Sequence, residues 1–567
     1  MINKVELGSV KSQNITPNKI VLRQNMGQQN FTGLQDLAKK GMQQCVKGIQ
    51  KCEENPMYNV AVLDLATAIL PRTFFETFIG SKKTDENGNP EEGRKLNLIG
   101  GFEAFRRESS GLLINCIIPS FIVIGAAKLL NKPIMGAFNK VNLTKSWANG
   151  DALDQIQKYY TQSTGMSTED RMYRTIKSML NDIEGVDGNI DKGGYKKFAQ
   201  IFENDKEYDA AIRKMSKNIV SSNPEQGYTE EMYRYLVNKS GIAENIKFKN
   251  SDKFFANNLR HLCDSTGEVL HGIVKEGDHI KNADDLSKYF SKAKKLVNWK
   301  SVAGLGIIIP LAIAAQPINR WITHKLSGKK GAPIYNDEKE RILTPEEKKK
   351  LTAEKFVAIP LMAGVAGLSM LMDRPSLKMF QFKNIFPTMD QARIISAATF
   401  SSRLAAAEDS NELKENTIRD IATFSSFYFL GDYAAKGIAT LLEKHNKDGI
   451  KLINRLKNPE EGANIFKKFW YWAKHTSMKS TDELGAIADK ALHAKARNMR
   501  AMCQLGNLAF SLLSLGVFIP IYTRTQSNKK EKLNQMAQTT TNSTTTSTIY
   551  SEKLMKNNSP AFKAFFG

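Results

Sequence analysis

The chain has 567 residues, 41% of them hydrophobic, a mean hydropathy of -0.38 and a formal net charge of +23. That balance excludes a compact transporter made almost wholly of membrane spans, so most of the mass is expected in water or at an interface. A basic nucleic-acid-binding domain is not expected either. Residues 131–300 carry 27 Lys/Arg against 23 Asp/Glu, and the surplus is spread thinly along the chain.

Residues 1–33 are rich in Asn, Gln, Ser and Gly and read as a flexible arm. They show no cleavable signal, so insertion into a bilayer would rely on internal segments. Residues 34–130 are expected to hold amphipathic helices and the first hydrophobic span. Leu34–Lys51 has helical spacing, and Met57–Ile79 is a moderately apolar helix with Leu70-Pro71 in its middle. Asp64, Arg72 and Glu76 interrupt that helix at spacings of eight and four, which places them on one stripe. The preferred reading is a surface helix with this stripe toward water and Arg72 paired with Glu76. The alternative is a set of intramembrane ionisable residues, which marks a functional site by default. Gly80–Asn97 reads as a solvated loop.

Four stretches then dominate the chain. Ser109–Ala127, Ser301–Asn319, Phe356–Met372 and Ala501–Thr523 run without a charged side chain. A helix needs about 20 apolar residues to cross the hydrocarbon of a bilayer. Basic clusters flank the four, among them Arg106-Arg107, Lys292 with Lys294 and Lys295, Lys348-Lys349-Lys350, and Lys495 with Arg497 and Arg500. Cations so placed suit anionic headgroups. Each stretch contains an Ile-Pro step, at Pro119, Pro310, Pro360 and Pro520. These are candidate helix kinks, tolerated in a membrane where neighbours satisfy the freed carbonyl. The alternatives are that proline starts a new helix and leaves each stretch broken or re-entrant, or that the stretches form the buried core of a soluble protein. In the third stretch, Ala363 and Gly367 form a small-xxx-small step, assigned to helix packing within the chain.

Between the stretches lie polar helical regions. In 131–300 Ser167 caps the clearest helix, and further helices fit Tyr208–Val220, Glu230–Val237, Lys253–Val274 and Asp284–Val297. No period-two run argues for strands. Residues 301–375 read as a membrane hairpin of two spans, and its loop, with eight Lys/Arg between Lys325 and Lys350, is the candidate cytoplasmic side. Residues 376–500 form the second polar helical region, with an aromatic patch at Trp470, Tyr471 and Trp472 that suits an interface or a core. Residues 501–524 are the fourth span, and 525–567 are a basic, low-complexity tail expected to be disordered.

Chemistry-bearing motifs are few. The five cysteines include no CxxC. His261, Cys263 and His271 fit no zinc spacing, and Asp187-Gly188-Asn189-Ile190-Asp191 departs from a calcium loop at Lys192 and Phe198. No P-loop, dinucleotide fingerprint, GxSxG or HExxH occurs. No cofactor or metal is expected, and no enzymatic activity is proposed.

The expectation is an all-α, multi-pass membrane protein with about four hydrophobic helices and polar helical regions between them. It would be a non-enzymatic scaffold whose partners are the bilayer and proteins bound through 131–300 and 376–500. The Asn-, Lys- and Ile-rich composition suits a bacterial source, hence a bacterial inner membrane. Two alternatives stand beside it: an oligomeric channel or transporter lined by Asn115, Ser120, Asn319, Asn507 and Ser511, and a signal-less secreted protein that inserts into a target membrane.

Overall fold

The computed structural model describes residues 56–522 apart from short gaps, the longest being 141–149, 328–342 and 373–379, together with a few positions between 40 and 52. The N-terminal arm, most of Leu34–Lys51, the basic loop between the second and third apolar stretches, Pro520 and the tail lie outside the described residues.

The chain builds an apolar helical bundle and a polar head. The bundle begins with α1 (Pro56–Asp64), a π-helical segment (Leu65–Ile69) and α2 (Leu70–Phe78). A two-stranded hairpin follows, β1 (Ser81–Thr84) against β2 (Pro90–Lys95). Next come α3 (Leu98–Leu112), a π segment (Leu113–Ile117) and α4 (Ile118–Met135). The head holds α5 (Gly150–Gln162), α6 (Thr168–Asn181), α7 (Lys206–Val220), α8 (Tyr228–Ser240) and α9 (Leu259–Lys275). Its helices start where the sequence supplies caps. Ser167 Oγ accepts from Asp170 N at 3.2 Å, and Asp205 accepts from Glu207 N and Tyr208 N. Their apolar faces share one core, with Ile156, Ile176, Ile212, Leu236 and Leu270 fully buried.

The head also contains strands that the sequence did not announce. β3 (Ile183–Gly185) lies between β4 (Lys196–Lys197) and β5 (Ile246–Phe248), all antiparallel. Runs of two or three residues are too short to display a period of two.

Helix α10 (Ala283–Ser327) is continuous over 45 residues, about 68 Å at 1.5 Å per residue. Its first third completes the head core through Leu286, Tyr289, Phe290 and Val297, and the rest belongs to the bundle. α11 (Pro345–Met372) returns toward the head, α12 (Met389–Ala405) runs away again, and α13 (Ser410–Ser425) returns. α13 continues through a π segment (Ser426–Leu430) into α14 (Gly431–His445). Helix α15 (Ile465–His475) sits between β6 (Ile453–Arg455) and β7 (Thr476–Met478), which pair antiparallel. α16 (Lys490–Ser511) with a final π segment (Leu512–Phe518) closes the bundle.

Pro310 and Pro360 lie inside continuous α10 and α11, so the reading in which proline divides the stretch is overturned there, whereas Pro119 falls in the first turn of α4, as that reading placed it, with the π segment carrying helical backbone on from α3. A π segment directly precedes Ile118-Pro119. Widening the turn there relieves the carbonyl that proline cannot serve.

The small-residue step is also corrected. α11 packs inward through Met362, Ala366 and Ser369, whereas Ala363 is exposed and Gly364 and Gly367 meet open space. Close approach instead uses Gly431, where an added Cβ would collide with Asn507 of α16.

The second polar region divides. α12 and α13 lie in the bundle, while β6, β7 and the short helix Thr481–Gly485 dock on the head. The Glu483 carboxylate accepts from Ala243 N and Glu244 N, both at 3.0 Å, and Arg455 N donates to Gly188 O at 2.6 Å. Asn454 Oδ1 accepts from Gly188 N at 2.7 Å, and Lys479 pairs with Asp187.

Two outcomes are expected at this junction. Glu483→Ala leaves backbone donors of the α8–β5 loop without their acceptor and costs the docked state about 2–4 kcal/mol, read by denaturant unfolding. Burial works against the Asp187 charge, but Lys479 and Lys196 outweigh it and hold the carboxyl below its ordinary value of 3.8. A depressed folded-state pKa gives stability that is full above the unfolded value and lost as pH falls through the folded one. Hydrogen exchange at Gly188 and Arg455 should therefore stay slow at pH ~5 and accelerate only below pH ~4.

Candidate functional site

Helix α12 lies at the centre of the bundle, packed between α10 and α11 with α13 alongside. From Met389 to Leu404 none of its residues is exposed. Yet it carries Arg393, Ser396, Thr399, Ser402 and Arg403 among its enclosed side chains. Burying polar groups is costly unless each finds a partner. Along α12 those partners come from several neighbouring helices.

At the head end, Thr388 and Gln391 form a reciprocal capping box, and Gln391 Nε2 donates to Phe380 O at 2.9 Å. Arg393 pairs with Asp390 at 2.9 Å and donates to Tyr428 O at 3.1 Å. One turn on, Ser396 Oγ and the Tyr428 hydroxyl lie 2.7 Å apart. Thr399 Oγ1 donates to Asn115 Oδ1 at 3.0 Å, tying α12 to the π segment between α3 and α4. Ser402 donates to Ile313 O of α10. The residue four positions on from Ile313 is Pro317, which has no N–H to offer that carbonyl, so the hydroxyl takes the place of the missing helical donor.

The last turn meets charge. Arg403 pairs with Asp420 of α13 at 2.8 Å and lies 3.6 Å from Glu108 of α3. Glu108 also pairs with Arg72 of α2, and Arg419 approaches Asp420 at 3.4 Å. Asp64 feels the charges of Glu108 and Arg403. Nearby, Arg320 of α10 pairs with Glu408 at 2.8 Å and with Glu412. Arg106 donates to Asn319 Oδ1 at 3.2 Å and Thr323 Oγ1 at 2.8 Å. Asp420 is wholly buried. The arrangement is a chain of alternating charges that fastens α2, α3, α10, α12 and α13.

Of the three ionisable residues on the Met57–Ile79 stripe, Arg72 is turned into this network. The preferred expectation, a stripe facing water with Arg72 held by Glu76, is thus corrected for Arg72: its side chain is about three-quarters enclosed and pairs across helices with Glu108. Glu76 is half-buried. The sequence could not single out Arg403, Asp420 or Glu108, because Asp420 lies 17 residues from Arg403 on the next helix and Glu108 belongs to a helix far earlier in the chain, so no local spacing links them.

The five residues proposed to line a path are largely committed elsewhere. Asn115 accepts from Thr399. Asn319 Nδ2 donates to Ser110 at 2.6 Å, and Asn507 Oδ1 accepts from Ser511 at 3.4 Å. Ser120 is buried. Cys263 is buried in the head core, His271 Nδ1 lies 2.8 Å from Ile219 O, and Asp187 is held by Lys196 and Lys479. Asn189, Ile190 and Asp191 lie outside the described residues. Among the described residues no three His, Cys, Asp or Glu side chains gather where they could hold a metal ion. Comparison with protein-family models, curated proteins and solved structures gives no match.

Removing the charge at Arg403 tests the fastening. Arg403→Met leaves buried Asp420 with Arg419 alone and Glu108 with Arg72 alone, and should cost about 3–5 kcal/mol. Arg403→Met combined with Asp420→Leu should recover much of that loss. The check is a double-mutant cycle of thermal unfolding in detergent.

Proposed function

We propose that this chain is a multi-pass membrane protein without enzymatic activity, which holds a folded helical head against a bilayer and binds partner proteins through that head. Its composition suits a bacterial inner membrane. The observation that carries the reading is the spacing of charge along the bundle helices. On α3–α4 the uncharged interval runs from Glu108 to Lys128, on α10 from Lys300 to Arg320, and on α11 from Lys355 to the end of the helix at Met372. At 1.5 Å per residue each interval is about 26–30 Å long, close to the thickness of bilayer hydrocarbon. The intervals lie side by side: Asn319 reaches Ser110, and Arg320 lies close enough to Lys355 for their charges to interact.

The surface of that slab is apolar. Phe121 is 70% exposed, Val302 61% and Phe356 76%, and Ile313, Leu361, Leu513 and Phe518 add to the same belt. Four helices are long and apolar enough to cross a membrane, and in each the most apolar window is at most one-third buried inside the protein. In water, exposed apolar area on that scale would drive association. In lipid it is the expected outer surface.

The interior favours a fastened bundle over a conduit. Neutral hydroxyls of α12 are bonded one to one with neighbouring helices, and the charged residues at its distal end are paired. A path for ions needs polar groups left for the passing species. The expected outcome in proteoliposomes is ion permeability no higher than that of protein-free vesicles, with Asn507→Leu causing no change. A flux that Asn507→Leu abolishes would instead support the channel. Membrane insertion itself is read by alkaline carbonate extraction: the chain should stay with the lipid pellet. Release into the supernatant as folded protein would overturn the reading.

A further inference from the structure

Helix α15 stands out from the rest of the fold. Ile465 is 82% and Phe466 84% exposed, and Phe469 and Trp470 are about half exposed. These four side chains share one arc of the helix, which stands open from Ile465 to Trp470; farther along, the same arc holds half-buried Trp472 and buried Ala473 and packs on the protein. Lys467, Lys468 and Lys474 occupy the remainder, and no acidic residue lies between Asn464 and His475. Such a helix, with an apolar arc in the open and cations beside it, matches the physical requirements of the boundary between headgroups and acyl chains.

Its position agrees. Phe469 and Trp472 pack on Tyr433 of α14, with ring centroids 6.1 and 6.3 Å away. Tyr433 lies two residues beyond Gly431, which abuts Asn507 in the fourth apolar stretch. The other end of α15 leads through β7 to Lys479, whose partner Asp187 belongs to the head. Helix α15 therefore lies where the head meets the bundle, near the plane marked by Arg500 on α16 and Lys300 on α10. Leu430, three residues before Tyr433, is also 40% exposed.

We propose that α15 is an interfacial anchor, embedded in the headgroup layer of an anionic leaflet with Ile465, Phe466, Phe469 and Trp470 toward the acyl chains and Lys467 and Lys468 toward lipid phosphates. The proposal rests on the membrane reading above and adds a specific lipid-contacting element to it. The anchor ties the head to the bilayer at a point separate from the spanning helices.

The test uses the full chain with its five native cysteines replaced, carrying Phe466→Cys or, as reference, Leu361→Cys on α11. Each is labelled with a nitroxide and reconstituted in vesicles of phosphatidylcholine and phosphatidylglycerol. The expected result is that both labels collide more with oxygen than with a water-soluble nickel chelate. Lys467→Glu with Lys468→Glu should move only the label at 466 toward the chelate, as should vesicles of phosphatidylcholine alone. A label at 466 open to the chelate in the mixed vesicles, with 361 in lipid, overturns the anchor and leaves the membrane reading standing. Both labels open to the chelate overturn both. A label at 466 immobilised and shielded from both reagents shows a protein surface covering the helix and overturns the lipid assignment. A second measurement keeps the native thiols: brominated lipid should quench the wild-type tryptophan emission more than that of Trp470→Phe, and equal quenching overturns the anchor.

Discussion

The bundle is organised around a polar helix none of whose residues from Met389 to Leu404 is exposed. Every hydroxyl and guanidinium on the enclosed side of α12 must be met by a group on a neighbouring helix, because the alternative is an unpaired polar atom in an apolar surround. This requirement fixes more than stability. Ser396 needs Tyr428, Thr399 needs Asn115, Ser402 needs Ile313 O, and Arg403 needs Asp420 and Glu108 together. Together the pairings set the axial register of three continuous helices against α12: the one carrying Asp420 and Tyr428, the one carrying Glu108 and Asn115, and α10. Sliding any one of them by a turn would break its rung without offering another. Apolar contacts between helices tolerate such slips far better, since in lipid there is little hydrophobic penalty for exchanging one apolar neighbour for another.

The same frame explains how head and bundle are coupled. Two helices belong to both. α10 contributes Tyr289 and Phe290 to the head core and Ile308 and Ala312 to the bundle. α16 places Met499 against Leu452 and Leu484 on the head side, and Asn507 against Gly431 in the bundle. Arg500 Nε donates to Lys479 O at 3.0 Å, bonding α16 to the segment that docks on Asp187. A continuous helix resists bending far more than a loop does. The head is therefore held by two stiff members and by the β6–β7 docking, and its freedom relative to the slab is small.

Much of this was legible in the sequence, and the missing part was missing for a physical reason. The four uncharged stretches declared themselves because length and lack of charge are local properties. The head helices did too: Ser167 and Asp205 cap where capping residues stand, and the expected Tyr208–Val220 is observed as Lys206–Val220. The short strands escaped because three residues hold no periodicity. The central helix escaped for a subtler reason. Sequence patterning assumes that polar residues seek water, so a helix carrying Arg393, Ser396, Thr399, Ser402 and Arg403 was assigned to a polar region. Where the solvent is lipid the rule inverts, and polar side chains point inward. The same inversion turned Arg72 from a surface residue into a member of the buried network. Conversely, Ala363 and Gly367 suggested a tight interface, and the structure leaves them on the outer face of α11.

The distribution of charge within the network completes the argument for a slab of definite thickness. The middle rungs of α12 are neutral hydroxyls, while its guanidiniums lie toward the two ends, Arg393 near the head and Arg403 away from it. Arg72, Arg106, Arg107, Arg320 and Arg419 gather on the side of Arg403, interleaved with Glu108, Glu412 and Asp420. Arginine is suited to that layer, because its planar fork pairs with carboxylates inside while its stem remains in apolar surroundings. Placing neutral hydroxyls at mid-depth and charged pairs near the boundary keeps the largest desolvation costs where water and headgroups are closest. The proposed crossing of about 30 Å of hydrocarbon accounts for a polarity graded along one axis in this way.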